Sequence, residues 1–342
     1  MVSAERRPAP HPIPRLEIWR ETYPTVISVD SLKRNFTVAL ALGVGVYLTL
    51  ALVSGIDDLR QVLAHFDWIL VPEALGLVGT SYILRYGRWS YFLRYLGIYL
   101  ERRVDVTIFV AGLAMTVSPG KFGEVLKSVL ILKVSGDPIS KTAPAVIAER
   151  VTDGIGMAAW GLLGALAFGF GPGVPVAFLG ITAAGVLMLR SERLSRSFAK
   201  LLERIPKVRL LAPRVADFQG ASNQLLSAAP MAVGGGLSFV IWSLEISAVY
   251  LIVQGVGDTV PFMKVAFIFA VSSIVGLVSM LPGGIGATEA TLTGMFRVTA
   301  GLAKGPAAAA TLITRLVTLW FAAFLGILGL MAMRRLTPKP KE

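Results

Sequence analysis

Apolar residues run along this chain in long blocks separated by short polar breaks. Runs with few or no charges occupy residues 36–55, 68–84, 142–168, 174–189, 231–253 and 305–333. A helix needs roughly 20 apolar residues to cross the ~30 Å hydrocarbon core of a bilayer, so this pattern predicts six full crossings. Two further apolar regions behave differently. Residues 104–118 supply only about 22 Å of helix before "TVSPGKFGEVLKSVLIL" (116–132) interrupts them. Residues 262–281 run into "LPGGIGATEATLTGMF" (281–296). Proline removes a backbone donor, and glycine allows the turn that follows. Both regions therefore read as broken helical hairpins, over 104–134 and 262–299, that dip into the membrane and return. Broken backbone at that depth is tolerated only where protein or a watery cavity satisfies it.

The two hairpins form a repeat. Pro119, Gly120 and Gly123 match Pro282, Gly283 and Gly286. Glu124 lies 26 residues before Arg150, and Glu289 lies 26 before Arg315, inside the similar contexts "IAERVTD" and "LITRLVT". Each unit, about 104–168 and 262–333, is a broken hairpin followed by a crossing helix with one arginine at its heart.

Composition and charge add orientation. Of 342 residues, 54% are hydrophobic and only 16% charged, where a soluble domain carries about a quarter charged. The fold class is an all-α polytopic membrane protein. The net charge of +12 points to cytoplasmic loops and anionic headgroups rather than to nucleic acid. Basic residues gather in the N-terminal tail (1–35), in 85–103, in the polar loop 190–229 and in the C-terminal tail (336–342). Segment 56–67 carries Asp57, Asp58 and Asp67 against Arg60, and 169–173 and 255–261 are almost uncharged. Basic segments stay inside, so both termini are expected in the cytoplasm, with 36–335 a single membrane domain between two tails. The loop 190–229 is expected to hold an amphipathic helix. With both termini inside, the first hairpin opens to the cytoplasm and the second to the outside. That is the inverted-topology repeat of alternating-access transporters. The N-terminus has no apolar core of a signal peptide, and the first run, 36–55, is an uncleaved anchor.

Several chemistries are excluded or disfavoured. The chain has no cysteine and two histidines, His11 and His65, outside any metal-ligand spacing. No metal site or cofactor is expected. No GxxxxGK[ST] loop is present, so any movement of a ligand is downhill or ion-coupled.

With "PGKFGEVLK", "AERVTD" and "PGGIGATEA" preceded by "RYGRWSYFLR" (85–94), residues 35–335 resemble the flippase-like transmembrane domain of lysylphosphatidylglycerol synthases and their stand-alone relatives. The resemblance implies handling of a lipid with a polar headgroup. The soluble aminoacyl-transferase domain of the bifunctional members has no counterpart here, so tRNA-dependent aminoacylation is not expected. The partner implied is a membrane lipid with an anionic headgroup, with a lipid-modifying enzyme as a second candidate.

Candidate site residues follow from depth and charge. A carboxylate at mid-membrane costs several kcal/mol and needs a reason. Arg150 and Arg315 suit a lipid phosphate, because guanidinium meets phosphate as a planar fork. Lys121, Gly120 and Gly283 at the tips join them as binding candidates. Glu124 and Glu289 are the gating candidates, competing for the arginines when the site is empty; the bland alternative is a structural salt bridge. Glu149 and Asp153 share a helix face and could tune Arg150 or carry a coupling proton. Glu245 stands alone within 231–253, with a proton or cation role or a serine hydrogen bond as its alternatives. Lys127, Lys264 and Arg297 read as snorkelling residues. Two other function classes remain: a membrane-embedded lipid-headgroup transferase, and a non-transporting scaffold for a lipid-modifying enzyme. A scaffold would tolerate neutral replacements of these mid-depth charges.

Overall fold

A computed structural model describes residues 29–118, 122–203 and 212–336, and no strand occurs among them. Helix α1 (Val29–Ser54) turns sharply at Gly55 into α2 (Ile56–His65), bending by 97°. Helix α3 (Leu70–Tyr95) leads to the first hairpin: α4 (Arg102–Leu113), a 3-10 turn (Ala114–Val117), a second 3-10 turn (Phe122–Val125) and α5 (Leu126–Ser135). The crossing helix α6 (Ile139–Phe168) follows, then α7 (Gly173–Arg190), α8 (Glu192–Glu203), α9 (Ala212–Leu225) and α10 (Ala228–Gly255). The second hairpin is α11 (Phe262–Val278), a loop, and α12 (Ala287–Val298). The chain ends in α13 (Lys304–Arg315), a π turn (Leu316–Trp320) and α14 (Phe321–Leu336).

Helices α6, α7, α10 and the joined α13–α14 are long and apolar enough to cross a membrane; α1 with α2 makes a fifth candidate as a bent pair. These coincide with the predicted runs 142–168, 174–189, 231–253, 305–333 and 36–55. The sixth run, 68–84, is part of α3, and here the sequence reading needs correction. The basic stretch after residue 84 is not a loop. The helix continues to Tyr95 and carries Arg85 and Arg88 into the protein interior. Four charged residues on α3, Glu73, Arg85, Arg88 and Arg94, lower its apolarity below that of the candidate spans.

The two units pack reciprocally. The first arm of the first hairpin, α4, lies along α14 of the second unit, and the first arm of the second, α11, lies along α6 of the first. Helices α3 and α10, which precede the hairpins, pack on each other. Small residues make both cross-contacts close, as in lipid they must where helices cannot gain from water exclusion. A methyl on Gly326 would sit 1.9 Å from the Ala114 backbone nitrogen. A methyl on Gly164 would sit 2.7 Å from the Met263 carbonyl oxygen. In each case backbone touches backbone.

Helix α7 is the least covered span and turns Ile181 and Leu187 outward. Phe324 and Leu328 of α14 and Leu48 and Leu52 of α1 do the same. Exposed apolar surface spread round a helical body of this kind is a lipid-facing exterior. The polar loop contains the expected amphipathic helix. Leu194, Phe198 and Leu201 follow one face of α8 and are exposed, with Arg193, Arg196 and Lys200 exposed on the other side. This is the signature of a helix lying in the membrane interface.

Candidate functional site

The second hairpin breaks where the sequence predicts. Gly283, Gly284 and Gly286 all have positive φ. At Gly284 a side chain is doubly excluded: φ is +66°, and a methyl would lie 2.6 Å from the Thr288 hydroxyl. The turn is closed by Glu289, whose Oε2 accepts from the Gly286 N–H at 2.7 Å as a helix cap. Its other oxygen accepts from Arg315 Nε at 2.6 Å. The Arg315 Nη2 donates to the Gly283 carbonyl at 2.7 Å. Helix α12 begins at this cap, and α13 brings Arg315 back beside it. The π turn begins directly after Arg315 and exposes the Thr318 carbonyl to the Tyr82 hydroxyl at 3.0 Å. Such wide turns leave carbonyls that neighbours can claim.

The first hairpin makes the matching pair less tightly. Arg150 Nη2 lies 3.2 Å from Glu124 Oε2 and 3.1 Å from Asp153 Oδ2. Arg150 keeps 27% of its side-chain surface, against 9% for Arg315. Both predicted Glu–Arg pairs exist. The binding candidates Gly120 and Lys121 lie outside the described residues.

Arg85 and Arg88 are the residues that sequence reasoning missed. Arg85 bridges Asp153 and Glu245, at 2.8 Å to each. Arg88, fully buried, donates to Asp153 at 2.7 Å and to the Ser238 hydroxyl. Asp153 is thus held by three arginines, and Glu245 is far from alone: it takes Arg85 and the Ser81 hydroxyl. Glu149, a candidate to tune Arg150 or carry a coupling proton, receives Lys127 in a buried ion pair. Lys127 does not snorkel. It is buried, with its ammonium 4.2 Å from the centre of the Trp89 ring. Enclosed between Trp89 and Phe109, it needs an internal anion. Arg297 is exposed, and Lys264 lies over the Phe168 ring at the start of α11, as membrane-end residues do.

These pairs surround one cavity of about 150 Å³. Its wall takes Thr116 and Glu124 from the first tip, Leu281, Gly283 and Gly284 from the second, and Arg85, Arg150 and Arg315 from three different helices. Asp153 and Glu245 complete the charged lining. The Nε of Arg150 and the Nε1 of Trp242, both on cavity-lining residues, have no acceptor among the described residues. A site with unpaired donors and convergent guanidinium groups is chemically suited to an oxyanion. The volume admits a phosphate-sized group and not a whole lipid.

Curated relatives match nearly end to end. A UPF0104 membrane protein of Methanothermobacter thermautotrophicus is 26% identical over 323 residues, covering 86% of this chain and 95% of its own. A UPF0104 membrane protein of Pyrococcus horikoshii is 26% identical over 326 residues, covering 87% and 97%. The family profile described as Lysylphosphatidylglycerol synthase TM region matches residues 37–326, a stretch that contains both hairpins and every charged residue of the cavity. The chain belongs to that membrane family.

Proposed function

We propose that this protein moves a phosphate-bearing lipid between leaflets, passing the headgroup through the cavity between the two tips. The observation that carries this reading is the convergence of Arg85, Arg150 and Arg315 on one cavity bounded by both broken hairpins. A phosphate in bare hydrocarbon pays an idealised desolvation cost of order tens of kcal/mol. Guanidinium groups fixed at that depth replace the lost water, and broken backbone supplies further polar groups along the route. The acyl chains need no polar path. An apolar groove of about 640 Å³, lined by Ala41, Leu42, Val46 and Leu50 of α1, also touches Gly286 and Ala290. It therefore borders the same tip whose Gly283 and Gly284 face the polar cavity, and tails can lie there while the headgroup passes.

In this reading the hairpins open alternately to the cytoplasmic and the outer side, with both termini in the cytoplasm of a bacterial-type inner membrane. Arg150 is the arm that changes partners: phosphate takes its fork, and Glu124 is displaced. Arg315 stays fixed and forms the opposite wall. No bond is made or broken in the lipid, so the reading assigns no catalytic residue.

The test is exchange of headgroup-labelled phosphatidylglycerol between leaflets of vesicles holding the purified protein, with mass spectrometry of co-purifying lipid naming the natural substrate. Exchange above that of protein-free vesicles, reduced in Arg150→Lys, is expected. Exchange equal to the protein-free rate overturns the proposal.

A further inference from the structure

A lipid is one covalent body, so its phosphate and its chains must be housed side by side and joined. Here the two spaces are adjacent and closed to each other. The cavity of about 150 Å³ suits a phosphate, and the apolar groove of about 640 Å³ beside α1 lies at the same tip. Val117, Ile285, Leu319 and Ala323 form a buried apolar cluster against which Val46 and Trp320 pack. Val46 is also groove wall, and Leu319 is also cavity wall. This cluster is therefore the partition between the two spaces. A lipid with its phosphate on one side and a chain on the other has to pass its glycerol through the partition, which must part to admit it.

Of the two sides of the partition, α1 is the less committed. The second tip is tied by Glu289 and Arg315, whereas α1 faces it across the groove. A methyl on Gly45, in the groove wall of α1, would meet nothing within 4 Å. Helix α1 touches α13 and the Ala114–Val117 turn, and beside the cavity it is clasped by Trp320, the last residue of the π turn. The indole is seated on Gly43, where a methyl would lie 2.7 Å from the ring. Its Nε1 donates to the Tyr47 hydroxyl at 2.5 Å, and the two rings meet edge-on with centroids 6.4 Å apart. Gly43 and Tyr47 are one turn apart, so the indole covers one face of α1, next to the face that lines the groove. The Tyr47 hydroxyl is also within electrostatic reach of Arg315 and Glu289. The clasp thus joins α1 to the fixed wall of the cavity.

We propose that the groove between α1 and α12 is the acyl-chain site of the transported lipid, and that α1 is its lateral gate, latched by the Tyr47–Trp320 hydrogen bond. This deepens the transport reading and rests on it. An acyl chain is the fitting occupant because the lining is apolar apart from Thr49, and because the exposed Leu42 at the groove belongs to a lipid-facing helix. The groove offers the chain no net attraction, since the surrounding hydrocarbon is as apolar as its walls. Its part is to keep the chain in apolar surroundings while the phosphate sits among the arginines. Release of the latch lets α1 draw Val46 away from the cluster and opens the way for the glycerol.

Leaflet exchange of labelled phosphatidylglycerol in vesicles tests the groove and the latch separately. Gly45→Phe fills the groove from α1, where there is room for a side chain and where glycine is a poor helix former. Ala290→Trp fills it from α12. Both should lower exchange toward the protein-free rate, while Leu187→Phe on the exposed face of α7 leaves it unchanged. A wild-type rate in either filled variant overturns the acyl-chain site. So does an equal loss in the α7 control. Trp320→Phe and Tyr47→Phe remove the latch hydrogen bond from opposite ends and keep both rings. Each should speed exchange about three- to fivefold, the factor for one such bond in a membrane protein. An unchanged or slower rate in both overturns the gate, and a faster rate in one is enough to support it where the other fails to fold. Absence of exchange by the wild-type protein overturns the transport reading itself, which none of the variant results does.

Discussion

The two halves of the repeat carry the same Glu–Arg pair at the same 26-residue spacing and use it differently. In the second unit Glu289 is committed on both oxygens, one to the Gly286 N–H and one to Arg315, and Arg315 is committed in turn to the Gly283 carbonyl. Neither side chain can move without unmaking the tip. In the first unit Arg150 keeps more than a quarter of its side-chain surface, finds no acceptor for its Nε among the described residues, and divides Nη2 between Glu124 and Asp153 at over 3 Å each. A repeated motif therefore does not imply a repeated role. The Arg315 pair is a wall and the Arg150 pair is the part with slack, so in the transport reading the ligand competes at Arg150.

The strongest way to break this contrast is Glu289→Gln. The change leaves a buried guanidinium without its counter-charge, and losing one partner of a buried pair costs about 3–5 kcal/mol. A large drop in Tm is expected, with expression in a folded state impaired. A Tm near wild type would mean that Arg315 is not held as described.

Arg150→Lys should leave the Tm nearly unchanged, because Asp153 remains a partner for the ammonium. Leaflet exchange should fall at least tenfold, since a point charge cannot grip phosphate as a planar fork. Wild-type exchange by this variant removes Arg150 from the transport reading. Glu124→Gln is the milder counterpart of the Glu289 change. It should alter stability by less than about 1 kcal/mol, as for partly exposed pairs. Lipid should be retained more tightly through purification while exchange slows, because a competitor for Arg150 is weakened and release suffers. Equal Tm losses in Glu124→Gln and Glu289→Gln would erase the difference between the halves. The gentlest probe uses the absence of cysteine in the chain. Single cysteines at Thr116 and Leu281 should leave stability almost untouched, yet react with impermeant thiol reagents from opposite sides of the membrane. Labelling of both from one side contradicts the inverted repeat.

Much of this was legible from spacing. Apolar run lengths located five of the six predicted runs on candidate spans, and the PGGIG break located the second tip. The equal Glu-to-Arg separations anticipated two ion pairs that the structure contains. Arg85 and Arg88 were misread because a local window of basic residues looks the same whether it lies in a loop or on a buried helix face. The signal that could have found them was a deficit elsewhere. Asp153 and Glu245 sit in apolar helices, and uncompensated carboxylates at that depth call for cations from some other segment. Lys127 and Glu149 are the same lesson on a smaller scale: each alone suggests an interface residue or a tuning group, and together they are a closed pair. Which carboxylate meets which arginine depends on how α3 lies against α6 and α10, and no periodicity within one helix encodes that.

The close approach of Gly326 to Ala114 has a mechanical consequence. Ala114 begins the 3-10 turn at which the first hairpin breaks, and across from it α14 presents bare backbone, here and one turn later at Gly329 against Ala111. At these two points no side chain lies between the helices, while Leu330 and Met333 of α14 pack beside them in one apolar cluster with Phe109 and Met115. In the transport reading this contact is a bearing with little clearance, and the half of the site with slack is mounted on it. Gly326→Ala would drive a wedge into that bearing, and its effect should register in the rate of leaflet exchange more than in the occupancy of the cavity.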